Sequence, residues 1–154
     1  MSELIPIAGE AAEGAEQVET REKTVPAVPD SMPGLVAFLE EELVAADCPQ
    51  TVSARLMVCH DEIVSNVIKF SGAKNITVRL EFVRASGMWR LTFIDSGFPW
   101  NPLVHADPDT TLSAEERPIG GLGILMVKKL MDDVRYMRDG DKNVLTMTVT
   151  ARTV

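Results

Sequence analysis

The chain is poor in the side chains that build metal and redox centres, with two cysteines and two histidines among 154 residues. Cys48 and Cys59 are eleven positions apart, which matches no metal-ligand or dithiol spacing. We expect Cys59 in the core and Cys48 as a reduced thiol. His60 and His105 likewise have no partner spacing that indicates a metal or catalytic site, so we interpret both as structural or solvent-exposed.

Basic residues are in the minority, with 15 Lys and Arg against 23 Asp and Glu and a formal net charge of −8. This balance argues against general attraction to nucleic acid or to anionic membranes. The sequence also lacks a run of about 18 apolar residues, and its start lacks a basic region followed by an apolar stretch. We therefore expect a cytoplasmic protein, without a membrane span, whose partners are proteins or small molecules.

Apolar residues make up 45% of the chain, which is enough for the core of one domain. Residues 1–23 differ from the rest, because six glutamates stand there against Arg21 and Lys23 with few large apolar groups. We expect this acidic tail to be mostly disordered and the folded domain to span residues 24–154.

A helix from about Thr51 to Phe70 is the strongest pattern in the chain. Six residues recur on one apolar stripe: Val52, Leu56, Cys59, Ile63, Val67 and Phe70. Glu62 and Asn66 lie four positions apart in a polar row at the edge of that stripe, so their side chains share one face of the helix. Taken alone, such a pair most often only solvates a helix.

The remaining segments alternate helical and strand patterns. We predict a short edge strand at 24–28, a helix to about 46 after an N-cap at Asp30 or Ser31, a hairpin of strands at 76–83 and 88–94, a mobile polar loop at 103–119, a helix at 122–132, and strands at 134–138 and 144–151.

Two further segments of the sequence have the features of ligand-binding sites. Asp95, Ser96 and Gly97 follow a strand, where a carboxylate can accept a hydrogen bond from an exocyclic amino group, although a simple turn is the alternative. The Gly120-Gly121-Leu122-Gly123 sequence precedes a helix, where backbone N–H groups and the helix dipole favour an anion such as phosphate. Glycines before a helix are otherwise ordinary turn residues.

Together, E-x-x-x-N on a helix, D-S-G-F-P-W-N-P after a hairpin, a loop, and G-G-L-G-I-L-M-V-K-K-L-M-D resemble the ATP-binding motifs of the GHKL superfamily. Within it the chain is similar to the bacterial serine-kinase anti-sigma factors, over residues 24–150. The resemblance implies an α+β two-layer sandwich: a mixed, mostly antiparallel sheet with helices on one face. It also implies ATP bound between the Glu62 helix and a flexible lid, and usually a homodimer.

The resemblance assigns roles residue by residue. Glu62 matches the general base, Asn66 the residue that holds Mg²⁺ against the phosphates, and Asp95 the adenine-reading carboxylate. The glycines match the adenine-pocket and phosphate-loop positions: Gly97, Gly120, Gly121 and Gly123. A side-chain amide oxygen suits Mg²⁺, and a carboxylate suits deprotonation of a serine hydroxyl for attack on the γ-phosphate.

Four other residues of these motifs carry weaker implications. Phe70 stands where many relatives have histidine, and Ser96 replaces an asparagine of the family's motif. Trp100 is interpreted as packing, and Arg117 in the loop as a solvated charge, with contact to the γ-phosphate as the alternative.

Four functional hypotheses remain open at this stage. The leading one is an ATP-dependent serine kinase that binds a sigma factor and phosphorylates a serine of an antagonist protein. The second is a non-catalytic module that sequesters a partner with a retained or degenerate ATP site. The ATP-binding part of a sensor histidine kinase fits poorly, since His60 lies on the nucleotide-site helix itself. An α+β domain without nucleotide is the simplest alternative.

Overall fold

The computed structural model describes residues 3–6, 17–104 and 121–151. Six strands form one sheet: β1 (Glu3–Pro6), β2 (Gln17–Pro26), β3 (Asn75–Val83), β4 (Met88–Asp95), β5 (Asp133–Asp139) and β6 (Lys142–Thr150). Three α-helices accompany it: α1 (Met32–Ala45), α2 (Gln50–Phe70) and α3 (Gly121–Leu130). Short 3₁₀ turns lie at Pro29–Ser31 and Pro102–Val104.

The sheet has the order β1-β2-β3-β4-β6-β5, and every pairing among the described strands is antiparallel. The expected α+β sandwich is confirmed, but the expectation of a mixed sheet is wrong. The connection from β4 to its neighbour β6 contains both α3 and β5. Strand β5 runs in the same direction as β4, and the turn from β5 to β6 reverses the chain once more, so β6 lies antiparallel to β4.

Alternation along the strands directs one face of the sheet toward the helices. In the middle of this face, Leu80 on β3 lies opposite Leu91 on β4, which lies opposite Met147 on β6. All three side chains are buried, together with Leu39 of α1 and Leu56 of α2. Each fully buried side chain of this size contributes about 1.5–3 kcal/mol relative to exposure, so this layer anchors α2 to the sheet.

The helix predictions hold closely. The α2 helix begins one residue before the predicted Thr51 and ends at Phe70, and its predicted apolar stripe is buried apart from Phe70. Gly72 follows with φ of 69°, a left-handed conformation that glycine adopts without strain and that turns the chain into β3. No helix in the described part of the chain is long and apolar enough to cross a membrane.

The predicted disorder of residues 1–23 is wrong for residues 17–23, which belong to β2. This strand pairs with β3 over nine positions and buries Val18 to 1% exposure. Its helix-facing side carries charge: Arg21, opposite Leu80, forms an ion pair of 2.7 Å with Glu42 of α1. Because β2 contacts α1 partly through a salt bridge, it lacks the alternation of apolar residues by which strands are recognised in a sequence. The predicted edge strand at 24–28 is therefore too short, since β2 begins at Gln17.

Candidate functional site

Glu62 and Asn66 are hydrogen bonded on α2, as their spacing predicts. The Asn66 side-chain nitrogen donates to Glu62 Oε2 at 2.9 Å, and Asn66 is only 4% exposed. This bond directs the amide nitrogen toward the carboxylate. The amide oxygen has no hydrogen-bond partner among the residues that the structure describes, so it remains available to a ligand.

Asp95 ends β4 with its side chain on the helix-facing side of the sheet. Its Oδ1 accepts two hydrogen bonds, from the Gly97 backbone N–H at 2.9 Å and from the Asn143 side-chain nitrogen at 3.0 Å. Within the described part of the chain, Oδ2 has no such partner. A carboxylate that is 4% exposed and held through one oxygen can offer the other to a donor on a ligand.

Asn143 organises the loop after Asp95. Besides Asp95, its side-chain nitrogen donates to the Phe98 carbonyl at 2.7 Å, and its oxygen accepts the Trp100 backbone N–H at 3.1 Å. The same oxygen accepts from the Tyr136 hydroxyl at 2.5 Å and from Arg138 Nη1 at 3.1 Å. This buried amide therefore ties the 96–100 loop to strands β5 and β6.

The other side of the 96–100 loop packs against the end of α2. The Phe98 N–H donates to the Ser71 carbonyl at 2.7 Å. A Cβ added to Gly97 would overlap that carbonyl oxygen and lie 2.9 Å from Asp95 Oδ1. Only glycine therefore allows the loop to approach so closely. The rings of Phe70 and Trp100 meet nearby, with centroids 5.5 Å apart, which supports a packing role for Trp100.

Asp95 and Asn66 face a common recess between α2 and the sheet. It is lined by Ile63, Asn66, Val67, Phe93, Asp95, Trp100, Pro102, Tyr136, Asn143 and Leu145. Its empty volume, including the part open to solvent, is about 300 Å³. The lining is mostly apolar with a few convergent polar groups, as is typical of small-molecule sites.

The first turn of α3 lies against Glu62. A Cβ added to Gly123 would overlap the carboxyl carbon and both oxygens of Glu62. The Cys59 thiol lies one turn before Glu62 on α2. Its burial, and to a smaller extent the negative charge of Glu62, raise the pKa of this thiol to about 11. Gly121 begins α3, whereas Gly120, Arg117 and His105 lie outside the described residues, as does the predicted mobile loop from residue 105 onward.

The site offers a divalent cation few protein ligands. Residues 3–6, 17–104 and 121–151 contain no cluster of three His, Cys, Asp or Glu side chains able to hold a metal ion. The open amide oxygen of Asn66 suits Mg²⁺, which commonly takes one or two protein oxygens and completes its shell with phosphate and water. The donor set thus fits a cation that arrives with a phosphorylated ligand.

The predicted residues fall into two groups around α2, with Asp95 and Gly97 near the sheet and Glu62 and Gly123 toward α3, and Asn66 between them. Sequence reasoning missed the residues that support Asp95, namely Tyr136, Arg138 and Asn143. They lie more than 40 positions after Asp95 and belong to no local motif.

His60 is fully buried against Phe93, in agreement with a structural role.

Comparison with known proteins gives one family. The model of the histidine kinase-like ATPase domain matches residues 25–149. Among solved structures, the RsbU and RsbW domains of Rv1364c from Mycobacterium tuberculosis are similar in fold, with a TM-score of 0.62 at 18% identity. The alignment covers 85% of this chain and 32% of that one. A search of curated proteins finds no match. Because the family model extends over more than half of the sequence, this chain belongs to the histidine kinase-like ATPase domain family.

Proposed function

We propose that this protein is an ATP-dependent serine protein kinase that acts as an anti-sigma regulatory factor. The observation that carries the proposal is the joint placement of three side chains. Asn66 and Asp95 line one recess with an open oxygen each, and Glu62 is hydrogen bonded to Asn66. Membership of an ATPase-domain family supports ATP as the ligand.

In this proposal Asp95 reads the base. Its Oδ2 accepts a hydrogen bond from the exocyclic amino group of adenine, while Oδ1 stays bound to Gly97 and Asn143. Guanine carries a carbonyl oxygen at the corresponding ring position, and two acceptors facing each other in a buried site repel. The site should therefore prefer ATP over GTP.

Glu62 is the proposed general base. The hydroxyl proton of a substrate serine passes to its carboxylate, the serine oxygen forms a bond to the γ-phosphorus, and the bond from that phosphorus to the β–γ bridging oxygen breaks to release ADP. Asn66 holds Glu62 through the 2.9 Å hydrogen bond and offers its amide oxygen to Mg²⁺. When bound, Mg²⁺ would supply positive charge to the phosphate oxygens.

A sigma factor and an antagonist protein that carries the serine are the proposed partners, on the basis of the motif resemblance to serine-kinase anti-sigma factors. Apolar side chains exposed beside the recess suit a protein partner: Phe98 is 69% and Val104 75% exposed. A homodimer is proposed on the same resemblance, and sedimentation equilibrium tests it directly.

Calorimetry of ATP binding, with and without Mg²⁺, tests the nucleotide site. Asp95→Asn keeps an oxygen for Gly97 and Asn143 but turns the ligand-facing oxygen into a donor, so ATP affinity should fall at least about tenfold. Asp30→Asn, an exposed position in a 3₁₀ turn, is the matched control. Equal affinity of wild type and Asp95→Asn would overturn the role of Asp95.

Transfer of labelled γ-phosphate to the cognate antagonist tests the kinase. Glu62→Gln should reduce transfer by about 10²–10⁴-fold, because a carboxamide cannot accept the serine proton. Wild-type protein that binds Mg-ATP but transfers no phosphate to the antagonist would refute the kinase assignment.

A partner-sequestering module is the second candidate, favoured by the exposed apolar residues beside the recess. Under this alternative, Asn66→Ala would hold its protein partner with undiminished affinity in the absence of nucleotide. Under the kinase proposal, nucleotide and Asn66 both influence the complex.

A further inference from the structure

Gly123 and Glu62 meet at the contact between α3 and α2. The Cβ of any other residue at position 123 would lie within the van der Waals surface of the Glu62 carboxylate. The glycine is helical and needs no unusual backbone conformation here, so its missing side chain, and not its flexibility, is what the fold uses.

Glu62 is confined on its other side as well. Asn66 donates to Oε2 at 2.9 Å and is itself 4% exposed, and both residues project from the long helix α2. The carboxylate thus has Asn66 on one side and the backbone of Gly123 on the other. It is the end of a flexible side chain, so a group inserted at position 123 would push it aside at small cost to the fold.

We propose that Gly123 is a positioning residue for Glu62, a role that rests on the proposed function of Glu62 as general base. This role is separate from the phosphate approach expected of a glycine-rich loop. Loss of phosphate contact would lower ATP affinity, whereas displacement of the base lowers the rate of transfer from bound ATP. A misplacement of about 1 Å can cost roughly 10²-fold in rate.

Gly123→Ala provides the test, with Gly34→Ala as the matched control. Gly34 is also helical, and a Cβ there meets nothing within 4 Å. We expect Gly123→Ala to lower kcat by about 10²-fold with the Kd for ATP within about threefold of wild type, and Gly34→Ala to leave both unchanged. A parallel loss of ATP affinity and rate would overturn the proposal in favour of a phosphate contact.

A double-mutant cycle with Glu62→Gln adds a second criterion. If Gly123 acts through Glu62, adding Gly123→Ala to Glu62→Gln should produce little further loss of rate. Multiplicative losses would mean that Gly123 acts independently of Glu62, and would overturn the inference.

A readout without turnover separates this inference from the proposed function. The side-chain NH₂ signals of Asn66, assigned by their absence in Asn66→Ala, report its hydrogen bond to Glu62. Gly123→Ala should shift these signals and Gly34→Ala should not. If wild type transfers no phosphate, the proposed function fails while this measurement still decides the contact: unchanged Asn66 signals in Gly123→Ala would refute it.

Discussion

Asn143 illustrates how much of this site depends on one buried amide. Its nitrogen faces two acceptors, Asp95 Oδ1 and the Phe98 carbonyl, and its oxygen accepts from three donors. A side-chain amide supplies two donor hydrogens on its nitrogen and an acceptor oxygen beside them. The carboxylate of Asp95 and the course of the 96–100 loop are thus set by a residue nearly 50 positions away.

Asn143→Asp tests this dependence with little change in shape. The substitution places an oxygen against two acceptors, and we expect the free energy of unfolding to fall by about 1–3 kcal/mol. Urea unfolding measures the difference, and ATP affinity should fall with it. Asn101→Asp is the control. Among the described residues the Asn101 side chain is hydrogen bonded only through its oxygen, which accepts the Leu103 N–H, and aspartate keeps that acceptor. Similar midpoints for the two variants would contradict the role of Asn143.

Individual residues could be predicted from the sequence where their function is local. Glu62 and Asn66 are one helical turn apart, and Asp95 follows the strand pattern that delivers it, so their placement follows from periodicity. Asn143 lies opposite Asp95 only because β4 pairs with β6 in this register. A pairing between strands separated by a helix and another strand leaves no trace in local sequence.

Strand β2 shows how an element escapes prediction. It carries charged side chains on its helix-facing side, with Arg21 paired to Glu42, while Val18 is buried on the opposite face next to Val83. Neither face alone shows the period-two apolar pattern. By contrast, β3 and β4 alternate clearly, and the sequence predicts both to within a residue at each end.

Two N-terminal truncations test the contribution of β2. Removal of residues 1–16 deletes strand β1. Removal of residues 1–23 also deletes Val18 and the Arg21–Glu42 ion pair. Burial of Val18 alone is worth about 1.5–3 kcal/mol, so the longer truncation should melt roughly 5 °C or more below the shorter one. Equal melting temperatures would support the domain boundary at residue 24 that the sequence predicts.

On the scale of the whole molecule, α1, α2 and α3 pack on a single antiparallel sheet. The order of helices and strands and the α+β class could be predicted from alternating periods and from motif resemblance. The antiparallel pairing of β4 with β6 could not be predicted, because it depends on the path of the long connection between them, which contains α3 and β5.

Ligand linkage provides a global test of the recess. ATP that binds only the folded state should add about 2.7 kcal/mol to the free energy of unfolding at 100 times its Kd. This corresponds to a rise in melting temperature of roughly 5–10 °C for a domain of this size. GTP at the same concentration should give a smaller rise. Asp95→Asn, whose ATP affinity should be at least about tenfold lower, should show at most about half of the wild-type rise with ATP. A domain without a nucleotide site would show no shift with either nucleotide.

The 96–100 loop has one further consequence for dynamics. It contains Pro99, precedes Pro102 and lacks regular secondary structure. The N–H groups of Gly97, Phe98 and Trp100 nevertheless all donate hydrogen bonds. Loop amides ordinarily exchange with solvent quickly, whereas amides that must await a larger opening exchange slowly. In deuterated water these three amides should therefore exchange as slowly as the amides of β4 and β6. Measured by hydrogen exchange, the loop would open together with the sheet.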